Sequence, residues 1–149
     1  MKNQLLYIEL KTGFSHNGPA WIGIAEFSKS GQTVYFDNKA LKKFKTPGIS
    51  SNYYDIENGD EYWISGVKKN GLDRHTFGGG KIMLDENAIE DYLKIIEENS
   101  VDNRKFEIVK IEKTDKKRFM DLENSKISVE ERNSFFDNNY NKLKNNHIA

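Results

Sequence analysis

The side chains best suited to chemistry lie between Asn52 and Lys81, in NYYDIENGDEYWISGVKKNGLDRHTFGGGK. Asp73, Arg74 and His75 place an imidazole, the side chain that titrates near neutral pH, beside a carboxylate that could orient it. Acid-base catalysis also needs a nucleophile or a second partner, and no spacing in the chain supplies one. In a strand, adjacent Asp73 and Arg74 would point to opposite faces. His16, His75 and His147 are too scattered for a metal centre, and Asp55 to Glu61 lacks the alternating oxygen ligands of a calcium loop. Gly78-Gly79-Gly80-Lys81 could cradle an anion through backbone N–H groups. A phosphate loop, however, runs from a strand into a helix with Ser or Thr after the lysine, whereas Ile82 here opens a strand.

Rings beside cations are the remaining chemistry. Residues 66–81 carry Lys68, Lys69, Arg74 and Lys81 against the single acid Asp73, with Tyr53, Tyr54, Trp63 and Phe77 close in sequence. Stacking platforms along a basic groove are how small barrels hold single-stranded nucleic acid or other flat anions. The expectation is a ligand site in which Tyr53, Tyr54 and Trp63 stack, Lys68, Lys69, Arg74 and His75 meet negative charge, and Ser65 and Asp73 hydrogen-bond. No catalytic residue, metal or cofactor is assigned.

Residues 52–75 resemble a family of short uncharacterised bacterial proteins sharing an approximate NYxD…EYWxSGxKKxGxDR pattern. It is matched here by Asn52, Tyr53, Asp55, Glu61, Tyr62, Trp63, Ser65, Gly66, Lys68, Lys69, Gly71, Asp73 and Arg74. The resemblance runs from about Leu6 to Ile96 and implies that residues 52–81 are the working region, without implying an activity. Deoxyxylulose-phosphate synthase, a label attached to some members of such families, is rejected. A thiamine-diphosphate enzyme needs a far longer chain and a GDG motif, which Gly59-Asp60-Glu61 does not supply.

Lys plus Arg and Asp plus Glu both number 23, so no global field draws the chain to nucleic acid or lipid, and any such binding is local. The lack of cysteine excludes disulfides and thiol chemistry. The apolar run Leu5 to Ile8 is too short for a signal peptide, and nothing approaches a membrane span of roughly 20 residues. A cytoplasmic protein is expected, and the abundance of Lys, Asn and Ile suggests a bacterial genome rich in AT.

The elements that must position these residues are mostly strands. Leu6 to Lys11, Ala20 to Phe27 and Thr33 to Phe36 have strand character, the second with Ile22 and Ile24 on one face and Trp21, Ala25 and Phe27 on the other. Gly23 marks a bend or a close backbone approach. Residues 38–47, with Leu41 and Phe44 three apart, suggest a helical turn or irregular rim, and residues 49–59 a loop ending at Asn58-Gly59. Strands follow at Glu61 to Val67, Lys81 to Leu84 and Phe106 to Ile111, with a helix over residues 86–98 capped by Asp85 and stapled by Leu84 and Ile89. Ser128 and Glu131 form a capping box before a last helix.

The expected fold is α+β: an antiparallel curved sheet or small SH3/OB-like open barrel of about six strands, with one packed helix and a C-terminal helix. Residues 1–112 form the β-rich core domain and 113–149 a charged connector and helix packed on it. The functional expectation is a small non-enzymatic module holding an anionic ligand or single-stranded nucleic acid. The alternative is a protein-interaction partner, such as an immunity protein or accessory subunit, that uses the acids of residues 55–61.

Overall fold

The computed structural model describes residues 3–14, 17–46, 48, 50–74 and 80–125. The chain divides into two compact units, Met1–Thr114 and Asp115–Ala149. The first is built on eight strands: β1 (Asn3–Leu10), β2 (Ala20–Phe27), β3 (Thr33–Phe36), β4 (Lys39–Lys43), β5 (Tyr53–Asp55), β6 (Glu61–Gly66), β7 (Ile82–Asp85) and β8 (Phe106–Val109). Strands β1 to β6 follow one another antiparallel in plain up-and-down order. The sheet curls until β1 pairs with both β6 and β2, closing a small α+β barrel of the expected SH3/OB-like kind.

Closure follows from the two-residue alternation of apolar side chains. Leu6 and Ile8, Ala25, Val34 and Phe36, Leu41, Tyr53, and Tyr62 and Ile64 each face inward and fill the bore. The opposite faces of β1, β2 and β6 are apolar as well. Tyr7, Ala20, Ile22 and Trp63 therefore carry a second core outside the barrel, completed by Ile82, Leu84, Ala88, Tyr92 and Phe106.

The second core is a βαβ unit laid on the barrel wall. Strand β7 joins β2 in parallel through Trp21↔Met83 and Ile22↔Leu84. A single 3-10 turn, Glu86–Ala88, then leads into α1 (Ile89–Ile96), and β8 returns parallel to β7. Parallel pairing requires such a crossover, and the helix of the crossover supplies it. Asp85 caps the turn as expected, accepting the Asn87 N–H at 2.9 Å. On its far edge β2 meets β7 near its start and β3 at its end. At that fork a Cβ on Gly23 would stand 2.5 Å from the Phe36 ring and 3.2 Å from Asp85 Cβ, the close approach expected of this glycine.

Two segments differ from the sequence expectation. Lys39–Lys43 is strand β4 rather than a helical turn, because Asp37 and Asn38 take left-handed φ of 49° and 55° and make a two-residue hairpin from β3. Asp37 Oδ1 and Thr114 Oγ1 accept the N–H groups of Glu112 and Asn38 at 3.0 Å each and tie that hairpin down. Within the expected loop, Tyr53–Asp55 is a short strand between β4 and β6.

In the second unit a helix spans residues 116–125. Asp115 Oδ1 accepts the Arg118 N–H at 3.2 Å at its start, and the Arg118 guanidinium lies 4.2 Å from the Phe119 ring centroid. The capping box at Ser128 and the helix expected after it lie outside the described residues.

Candidate functional site

The residues expected to form one site are distributed over three places. Tyr53 points into the barrel and is 7% exposed, so it is a core ring and not a stacking surface; burial raises its hydroxyl pKa. This corrects its assignment as a ligand contact, and alternation along β5 is the cause. Trp63 is half-buried in the second core, on the same face of β6 as Ser65, which lies opposite Tyr7 in the ladder. Lys68 and Lys69 are exposed on the turn after β6.

Asp73 and Arg74 hold the structure together. The Asp73 Oδ1 accepts the Lys68 N–H at 2.7 Å and closes the turn. Arg74 donates to the Gly18 carbonyl at 2.8 Å and brings its positive charge beside the Tyr7 hydroxyl, fastening the segment after the turn to the barrel wall. Tyr7 in turn donates to Glu9 at 2.5 Å, and Glu9, 2% exposed, also accepts from Lys11 at 2.7 Å. A carboxylate this deep is tolerable only with such partners. His75 and the triplet's Gly78 and Gly79 lie outside the described residues.

Two of the four acids of residues 55–61, Asp55 and Glu61, hold the local fold, and Asn58 adds a third side-chain acceptor. Asp55, 3% exposed, accepts the Glu57 N–H at 2.8 Å, Asn58 accepts that of Asp60 at 2.8 Å, and Glu61 accepts from the Ser51 hydroxyl at 2.6 Å. Asn52 extends the same theme: its carboxamide donates to the Ile64 carbonyl at 2.7 Å and accepts the Ile64 N–H at 2.8 Å, mimicking a ladder pair.

The third place, around Tyr54, shows a grouping that the sequence reading missed. Tyr54 projects outward from β5 opposite Lys42 of β4. Its ring centroid lies 5.1 Å from that of Phe44, tilted by 36°. Phe44 is held there by donating its N–H to the Asn52 carbonyl at 3.1 Å, one step beyond the end of β4. Lys43 and Lys45 beside it are exposed. The signal was present in KALKKFK, where strand parity from buried Leu41 sends Lys42 and Phe44 outward; a helical period hides it.

A pocket of about 370 Å³ opens between the turn at Asn70 and Gly71, helix α1 and the segment leading into β8. Leu84, Tyr92, Ile96 and Phe106 give it apolar walls, and Asn70, Glu98, Ser100, Asp102 and Lys105 are polar groups around it. The Tyr92 and Phe106 rings meet edge to face at 5.5 Å. Among the described residues no group of three His, Cys, Asp or Glu is placed to hold a metal ion, and no helix is long and apolar enough to cross a membrane. Comparison of the chain with protein-family models, curated proteins and solved structures gives no match.

Proposed function

We propose that this chain is a small non-enzymatic binding module that holds an anionic ligand, single-stranded nucleic acid being the fullest example, against the outer face of β4 and β5. The supporting observation is the Phe44–Tyr54 ring pair with Lys42 across the ladder on the same face, while exposed Lys43 and Lys45 occupy the alternate positions of the strand and its extension. Flat π-faces take a base irrespective of its identity, each worth about 1–3 kcal/mol, and lysines along the same edge take the phosphates. Lys68 and Lys69, on a turn remote in sequence, carry further positive charge with no exposed ring in their own strand. A bacterial cytoplasm as the setting belongs to the same proposal and rests on composition.

The test is titration of a fluorescein-labelled oligothymidylate at low salt, followed by anisotropy. Lys42→Glu should weaken binding several-fold, and Tyr54→Ala likewise, with the salt dependence reduced in the lysine variant. The reading fails if the oligonucleotide does not bind, or if only Lys68→Glu with Lys69→Glu weakens it.

A further inference from the structure

The pocket beside α1 differs in character from the lysine-bearing face. We propose that it is a separate binding site for a small molecule with an apolar, preferably aromatic, body and a cationic head that donates hydrogen bonds. Its volume of about 370 Å³ lies within the range of about 300–1,000 Å³ typical of small-ligand sites. Leu84, Tyr92 and Phe106 are 0%, 1% and 6% exposed and form a dry floor suited to a ring.

The polar groups around that floor favour positive charge. Glu98 and Asp102 stand at the mouth against Lys105 alone, although Asp102 shares its carboxylate with exposed Arg104 at 3.2 Å. The carbonyl end of α1 points the same way, since a helix C-terminus carries partial negative charge. In the pocket wall the buried Tyr92 hydroxyl has no hydrogen-bond partner among the described residues. A Cβ on Gly71 would lie 3.9 Å from the Tyr92 oxygen and 3.8 Å from Ile96, which puts the phenol directly beneath the glycine of the turn at the inner end of the pocket.

A buried polar group without a partner costs about 1–3 kcal/mol, which a polar atom of a ligand reaching the Tyr92 hydroxyl would recover. The turn itself is held by short-range bonds, Gly71 N–H to the Lys68 carbonyl at 3.1 Å and Leu72 N–H to Asn70 Oδ1 at 2.9 Å. A cationic head thus answers the acidic charge at the mouth while the apolar body lies on the floor.

Three probes of one size separate the terms: phenethylamine, 2-phenylethanol and phenylacetate, each titrated into the full chain and followed by the backbone amide shifts of Gly71, Ser100 and Lys105. Phenethylamine should give saturable shifts with a dissociation constant at least threefold lower than that of phenylacetate. Glu98→Gln with Asp102→Asn should erase that preference while leaving phenylethanol unchanged. Ser100→Trp at the exposed rim and Ile96→Trp within the wall should each block all three probes, the rim variant guarding against misfolding of the other. The Lys42→Glu variant should leave phenethylamine binding intact, so loss of the oligonucleotide site does not bear on this one. Equal binding of amine and acid, preference for the acid, or no saturable shift at these amides overturns the proposal.

Discussion

Inside the barrel, Leu6, Ile8, Val34, Leu41 and Ile64 are at most 6% exposed, and no buried side-chain polar atom there lacks a partner among the described residues. In the layer between the barrel wall and α1, packing is equally apolar at Ile22 and Leu84, yet a pocket remains and the buried Tyr92 hydroxyl stands without a partner among the described residues. The interior of a six-stranded barrel is narrow, and its walls are fixed by closure, so side chains must fill it. A helix and a loop laid on one face are under no such constraint. Unfilled volume and unsatisfied polarity therefore collect in the outer layer, which is where a ligand can be accommodated at least cost to the fold.

The largest test of that contrast is Leu41→Ala, which should lower stability by about 2–5 kcal/mol in urea unfolding because the bore cannot collapse around the cavity. The matching deletion at the pocket, Ile96→Ala, should cost about 1 kcal/mol or less, since Ile96 is only half-buried and already borders empty space. Equal losses at the two positions would erase the distinction. Gly23→Ala should cost about 1–3 kcal/mol by pressing a methyl against Phe36 at the fork where the two layers meet.

Titration gives smaller effects. Burial pushes the Tyr62 phenol in the barrel and the Tyr92 phenol in the outer layer up to about 12, above the unfolded value near 10. Their neutral forms therefore support the fold below about pH 10, and that support is lost as pH rises toward 12, of order 1 kcal/mol after solvent screening. Phenolate absorbance should rise together with loss of tertiary circular dichroism; ionisation well before unfolding would contradict the burial.

Smallest is Asp73→Asn. Burial raises the Asp73 pKa against the N–H and charge of Lys68, so its ionised form burdens the folded state above that raised pKa and the burden lifts as pH falls through it. Asn keeps an acceptor for Lys68 without the charge. The variant should melt a few degrees higher at pH 7, with the gain shrinking near pH 4; a lower melting temperature at pH 7 would show that Asp73 is not a burdened group.

Much of the fold is legible in the residues. Alternation in Ala20–Phe27 already separates Trp21, Ala25 and Phe27 from Ile22 and Ile24, and the two sets enter the two cores. Thr33–Phe36, the turns at Gly31, Gly59 and Gly71, and the Asp85 cap follow from local chemistry. The candidate site is less legible. Asn52, Asp55, Asp73 and Arg74 look like ligand-directed polar groups in sequence, but each is spent on a backbone partner, Asp55 and Asp73 within their own turns and Asn52 and Arg74 on carbonyls that only folding brings near. Asp37-Asn38 is a hairpin signal that the lysines after it obscure.

The chain alone determined most of the strands, β4 and β5 excepted, and which of their faces are apolar, because these depend on neighbours one to four residues away. Tertiary structure decided that Tyr53 is interior while Tyr54 meets Phe44, that β7 and β8 run parallel on the wall, and that Gly71 closes over Tyr92. Those outcomes depend on strand register and barrel closure, which join residues tens of positions apart through contacts that local pattern does not encode.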